Sequence, residues 1–186
     1  MEYDYEDHYE DNLPRRIVRR IVEIATVIAF AWVCVYSFGI QTVNSGQSMY
    51  PVLEDGDRLL MDRVSLKLFG PQRFDIVMFH TEGGSGRSIK RVVGLPGETV
   101  QIQNSRIFID GEEAEIPETV PAAAISIAGQ AENPVSLGEG EYFVLSDNRD
   151  AGEDSRFEST GNITMSAMEG RIWLRISPLG SFGLIK

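Results

Sequence analysis

From Ile24 to Val43 the chain reads IATVIAFAWVCVYSFGIQTV, twenty residues without a charge. In a helix, twenty residues extend about 30 Å, the thickness of a bilayer's hydrocarbon core. The competing assignments are a buried helix of a soluble domain and a cleaved signal peptide. A signal peptide has a shorter apolar region followed by a small-residue cleavage site, and IQTVNSG supplies no such site. The segment therefore reads as an uncleaved membrane anchor over residues 21–43, with Glu23 at its start in reach of the interface. Orientation follows from basic residues, because the positive-inside bias counts Lys and Arg and largely ignores acids. Arg15, Arg16, Arg19 and Arg20 precede the segment, and the first basic residue after it is Arg58. Residues 1–20 are expected on the cytoplasmic side and residues 44–186 outside. The acidic stretch MEYDYEDHYEDN has the composition of a disordered tail.

The 186 residues allow one compact domain plus attachments. The net charge of -11 argues against nucleic acid as a partner. The single cysteine, Cys34, lies inside the apolar segment and leaves no intrachain disulfide and no Cys-rich metal site. Beyond Val43, short runs rich in β-branched residues recur: DRLLMDRV, FDIVMFH, SIKRVVGL, ETVQIQ, SRIFID, EYFVLSD and GRIWLRIS. Turn signals at Asp55-Gly56, Gly83-Gly84, Pro96-Gly97, Asn104-Ser105 and Asp110-Gly111 separate them. VQIQNSRIFIDGEEAEI predicts a hairpin turning at Asn104-Ser105, with a second turn at Asp110-Gly111. Weak periodicity and several prolines make 113–140 a loop-rich excursion. The expected fold is mostly β: one N-terminal transmembrane helix, then an all-β outer domain, with an extension over about 100–140.

Three stretches can carry chemistry. In SGQSMYPVL, Gly46 stands two residues before Ser48, which lets the backbone turn sharply and present an N–H to a substrate carbonyl. Ser48 is either a turn serine or a nucleophile. A nucleophile needs a base, and there are two readings of it. His80 ends an alternating strand and is also read as an exposed strand-end residue. Lys90, in SIKRVVGLPG, is either a surface lysine or, if buried among Ile89, Val92 and Val93, a lysine whose charged form is disfavoured. LSDNRDAGEDSRFE, with seven charges in fourteen residues, is either a solvated loop or a brace. In a brace, Asp154 and Arg156 pair with each other and with Arg91, while Asp147 and Asn148 cap a turn.

Taken in order after an N-terminal anchor, SGQSMYPVL, RFDIVMF, KRVVGLPGE and SDNRDAGEDSR resemble the bacterial type I signal peptidases, from the anchor to Arg156. The resemblance implies a β catalytic domain with a β-ribbon extension. It implies a serine endopeptidase with Ser48 as nucleophile and Lys90 as general base, in a turn formed by Gly46 and Ser48. Arg91, Asp147, Asp154, Ser155 and Arg156 would support the site. Met49, Tyr50, Val52 and Leu53 would form an apolar rim facing the membrane. It implies no metal and no cofactor. The partners would be signal-peptide-bearing precursors, membrane lipid and the secretion translocase, at the cytoplasmic membrane. The competing functions are a self-cleaving serine–lysine repressor-type peptidase and a non-catalytic membrane-tethered assembly protein.

Three positions depart from the family pattern. Gly46 replaces a hydroxyl residue that some members use as a second oxyanion donor. Gly152 stands where many members have a serine that contacts the lysine. Ser146 stands where glycine is usual. The expectation is that Gly152→Ser is tolerated and raises cleavage, and that Ser146→Gly lowers it.

Overall fold

The computed structural model describes residues 13–81, 86–121 and 123–185. The acidic tail with His8 and the Gly83-Gly84 turn lie outside them. Two compact units divide between Tyr36 and Ser37.

The first unit holds all but the last two residues of α1, Leu13–Phe38, which takes the four arginines and most of the apolar run into one helix. Glu23 accepts hydrogen bonds from Arg19 at 3.0 Å and Arg20 at 3.2 Å, so the charges at this end of the apolar run lie within one helical turn. Val27, Ile28, Phe30, Trp32 and Val35 are all exposed. The helix assigned to 21–43 ends earlier than expected, because Ile40–Val43 leaves it as a strand. The uncharged helical part, Ile24 to Phe38, extends only about 22 Å. Among the described residues, no helix is long and apolar enough to cross a membrane.

The second unit is the expected β domain. Its strands are β1 Ile40–Val43, β2 Arg58–Asp62, β3 Ile76–His80, β4 Arg87–Gly94, β5 Thr99–Gln103 and β6 Arg106–Ile109. There follow β7 Glu112–Glu113, β8 Val135–Ser136, β9 Glu141–Leu145, β10 Ile163–Thr164, β11 Met168–Ser177 and β12 Gly183–Leu184. A short helix, α2 Val64–Phe69, follows β2. The larger sheet runs β1-β2-β11-β3-β4-β9-β10, with β12 added to β11. The smaller runs β7-β6-β5-β8.

The hairpin falls where turn chemistry puts it. Gln103 pairs with Arg106, leaving Asn104 and Ser105 as a two-residue loop, both at positive φ. Asp110 and Gly111, also at positive φ, join β6 to β7. Two positive φ values in succession match the right-handed twist of the flanking strands. Alternation does the rest: Val100 and Ile102 on β5 point into a core with Ile107, Phe143 and Leu145, while Gln103 points out.

Two pairing facts position the site. Among the described residues, β1 pairs only with β2. β4 pairs with β3 along Arg87–Arg91, but β9 joins it only from Arg91 onward. Among the described residues, the β4 edge from Arg87 to Lys90 is therefore left without a second strand partner.

Candidate active site

The turn after β1 is held from several sides. Asn44 receives the N–H of Gly56, donates its own N–H to the Asp57 carbonyl, and donates its side-chain amide to the Glu54 carbonyl, each at 2.9 Å. Gly46 sits at φ +89, a conformation glycine adopts without steric cost. Its N–H is taken by Asp55 Oδ1 at 2.7 Å, so Gly46 supplies no second oxyanion donor. The Ser48 carbonyl accepts the Asn148 N–H at 2.9 Å, which ties this turn to the charged loop 146–156. Met49 and Leu53 are both 0% exposed and pack with Leu59, Met61 and Ile172. They anchor the turn in the core and do not form a membrane-facing rim. Tyr50 is exposed and Val52 half-buried.

Lys90 is 4% exposed, on a strand buried from Ile89 to Gly94. The surface-lysine reading is excluded. Burial pulls its ammonium down from 10.5 to about 8, opposed in part by the negative charge of Asp154 and reinforced by the positive charge of Arg156. Ser48 and Lys90 line one groove of about 810 Å³, with β1 on one wall and the free β4 edge on another. Gly152 closes the corner between them. A Cβ at Gly152 would lie 2.8 Å from Ser48 Cβ, 3.2 Å from Lys90 Nζ and 3.6 Å from Ser146 Oγ. Four groups singled out from the sequence thus meet around one point. Gly152 has φ +92, so a serine there is both strained and crowded, which counts against the expectation that it would be tolerated. Ser146 is fully buried, and among the described residues its hydroxyl has no hydrogen-bond partner. His80 is exposed at the end of β3 and pairs with Glu169 at 2.8 Å; it does not line the groove.

The charged loop is a brace with two buried ion pairs. Arg91 meets Asp147 through two 2.7 Å hydrogen bonds and donates a third to the Phe74 carbonyl. Arg91 was expected to join Asp154 and Arg156, and it pairs with Asp147 instead. Asp154 accepts from Arg156 at 2.8 and 2.9 Å and from the Ser146 N–H at 2.9 Å. Burial pushes the Asp154 carboxyl up, but these hydrogen bonds outweigh it and hold the group below its usual range. Ser155 Oγ accepts the Val144 N–H at 3.0 Å, and Asn148 caps the turn at Asp150. Removing one member of a buried pair strands the other charge, at a cost of about 3–5 kcal/mol. Asp147→Ala is expected to lower the thermal midpoint sharply. A midpoint within a degree or two of wild type would show that Arg91 finds another partner.

The family described as signal peptidase, peptidase S26, matches residues 16–177. The chain belongs to this family. Signal peptidase IB of Staphylococcus aureus (strain COL) is 30% identical over 172 residues, 83% of this chain and 88% of its own. Signal peptidase I of Leptolyngbya laminosa is 33% identical over 175 residues, 80% of this chain and 77% of its own. Signal peptidase I T of Bacillus subtilis (strain 168) is 35% identical over 117 residues, 60% of this chain and 60% of its own.

Some groove residues were not foreseen in the sequence. Arg87, Ser88 and Ile89 line the groove as a strand edge, which is visible only once β9 is known to stop at Arg91. Asn148 was expected as a turn cap alone, and its backbone N–H also fixes Ser48. Asp55 was read as part of a turn and also holds Gly46. Among the described residues, no cluster of His, Cys, Asp or Glu could hold a metal.

Proposed function

We propose that this chain is a membrane-anchored serine endopeptidase that removes signal peptides from secretory precursors, with Ser48 as nucleophile and Lys90 as base. The observation that carries the reading is a lysine buried in the same groove as Ser48, with its ammonium held near pH 8. An ordinary lysine near 10.4 is almost fully protonated at neutral pH; at about 8, a usable fraction is neutral.

In the acylation step, neutral Lys90 Nζ takes the Ser48 hydroxyl proton as Oγ attacks the scissile carbonyl carbon. The Ser48 N–H donates to the resulting oxyanion. Lys90 then returns the proton to the departing amine nitrogen as the C–N bond breaks, leaving an ester on Ser48. Water attacks the ester, giving its proton to Lys90, and Ser48 Oγ regains a proton as the acid leaves. The precursor enters as an extended strand along the free β4 edge and β1, which offers backbone hydrogen bonds without reading sequence.

The anchor belongs to the same proposal. The exposed apolar side chains of α1 suit lipid better than water, and the paired charges of Arg19, Arg20 and Glu23 suit an interface, where long side chains reach the headgroups. Residues 1–20 would be cytoplasmic, and the β domain extracytoplasmic. Of the four apolar residues expected at the rim, Tyr50 is the exposed one, and Val43 on the groove wall is exposed as well. Precursors and lipid are then the partners, with the secretion translocase delivering the substrate.

The test is cleavage of a precursor with an Ala-X-Ala site by the detergent-solubilised chain, with product masses read across pH. The expected rate climbs through about pH 8 as Lys90 loses its proton. An optimum on the acid side, falling through neutral pH, would rule out a lysine base.

A further inference from the structure

Glu169 on β11 gathers three basic side chains at one end of the larger sheet. Its carboxylate meets Arg87 Nε at 2.7 Å, His80 Nε2 at 2.8 Å and Arg63 Nη2 at 3.2 Å. Strand register builds the cluster. His80 and Arg87 are direct cross-strand partners on β3 and β4. Glu169 lies at a bulge in β11, between Met168 opposite Phe79 and Gly170 opposite Met78, and a bulge re-aims a side chain. The Glu169 side chain is 9% exposed, whereas that of Arg87 is 58% exposed. One carboxylate does not neutralise Arg63 and Arg87 together, since both guanidiniums stay charged. A local positive surplus therefore sits in a chain of net charge -11.

Arg87 is the member of this cluster that lines the groove holding Ser48 and Lys90. It begins the β4 edge that lacks a second strand partner, three residues before Lys90, or about 10 Å along an extended strand. The other charged residues lining the groove are Lys90, which is buried, and Glu153, which adjoins Gly152 at the Ser48 corner and accepts from Ser159 Oγ at 3.0 Å. Arg87 is thus the exposed cation of the groove, at the end of β4 away from Lys90.

A peptide paired with β4 can run only from Lys90 toward Arg87, because β9 takes that edge from Arg91 onward. In acyl transfer the amine half departs and water takes its place at the ester. The half held along the strand is therefore the acyl half, the residues before the cut. We propose that Arg87 is a specificity-determining residue, favouring an acidic side chain about four residues before the cleavage site and disfavouring a basic one. The inference rests on the peptidase reading and names a preference within it. The strand distance accounts for three residues, and the arginine side chain reaches past them. An exposed ion pair supports a preference of up to about fivefold, and exchanging attraction for repulsion widens it to about tenfold.

The test uses the full chain in zwitterionic detergent and two trios of precursors. One trio carries Ala, Asp or Lys at the fourth residue before an Ala-X-Ala cut; the other carries them at the second residue after it. In the first trio kcat/KM for Asp over Lys is expected near tenfold at low salt, shrinking as ionic strength rises. In the second it should stay near one. Arg87→Gln should bring the first ratio to about one, and Arg87→Glu should invert it. Each ratio is taken within one variant, so a loss of rate common to all precursors cancels. If Arg87→Glu fails to fold, Arg87→Gln carries the test. The proposal is overturned by a wild-type ratio of one, by a preference found only in the second trio, or by an Asp preference that Arg87→Gln leaves intact. The Ala precursor separates the two readings. Its cleavage beside a flat Asp-to-Lys ratio sinks this inference alone, whereas no cleavage of any precursor sinks the peptidase reading and this one with it.

Discussion

Ser48→Ala and Lys90→Met are each expected to take precursor cleavage to background without unfolding the β domain. A positioned base is worth about 10²–10⁴-fold, and loss of the nucleophile removes the covalent route altogether. Lys90→Met has a second signature. The folded-state pKa of Lys90, about 8, lies below its ordinary 10.5. Between those values the unfolded chain holds a proton that the folded chain has lost, so folding stability rises with pH across that window. Below about pH 8 the penalty is complete, roughly 3 kcal/mol by linkage. Methionine has no charge to bury. The variant should therefore melt higher than wild type at pH 7, with the gap closing as pH approaches 10.5. A dead enzyme that is also more stable is what a functional, destabilised lysine predicts. His80→Ala should change cleavage little, because His80 faces Glu169 at a strand end outside the groove. Cleavage that survives Lys90→Met but is lost in His80→Ala would reverse the assignment.

Local chemistry was legible in the sequence, and partner choice was not. Asn104-Ser105 and Asp110-Gly111 announce two-residue turns because the residues themselves tolerate positive φ, whatever surrounds them. The pairing of Asp154 with Arg156 was readable because the two lie two residues apart. Arg91 and Asp147 are 56 residues apart, and the choice between Asp147 and Asp154 depends on where β9 meets β4. Hydropathy also misled. Ile40–Val43 continues an apolar run, so it was taken into the helix, yet IQTV alternates with period two and half-buries every other residue as a strand. Met49 and Leu53 were assigned to a membrane-facing rim because they follow the anchor. In the fold they are the residues that hold the Ser48 turn to the core. An apolar side chain beside a reactive residue reads the same from sequence whether it faces lipid or the interior.

The same limit governs Gly152, where the expected result is now a loss. Read by alignment, a serine at 152 restores a hydroxyl beside Lys90, and a single hydrogen bond of that kind is worth about 0.5–1.5 kcal/mol. Two observed terms oppose it. The backbone at φ +92 disfavours any L side chain by about 1–2 kcal/mol. The new Cβ would also sit 2.8 Å from Ser48 Cβ, closer than carbon atoms approach without something moving. What would move is Ser48, the proposed nucleophile, and small displacements of a reacting atom cost about 10²-fold. Gly152→Ser is therefore expected to lose more than about tenfold in kcat/KM, and Gly152→Ala nearly as much, since the Cβ is the cause in both. Ser146 presents the compensating feature: a buried hydroxyl without a partner, 3.6 Å from the point where that Cβ would stand. Ser146→Ala should lower cleavage severalfold and shift the pH midpoint, because the hydroxyl would act through Lys90. Measuring kcat/KM against pH for the three variants separates the effects. If Gly152→Ser keeps its activity while Gly152→Ala loses it, the hydroxyl outweighs the crowding and the glycine is not required by the turn. If Ser146→Ala leaves both rate and midpoint unchanged, the base has no need of a hydroxyl neighbour.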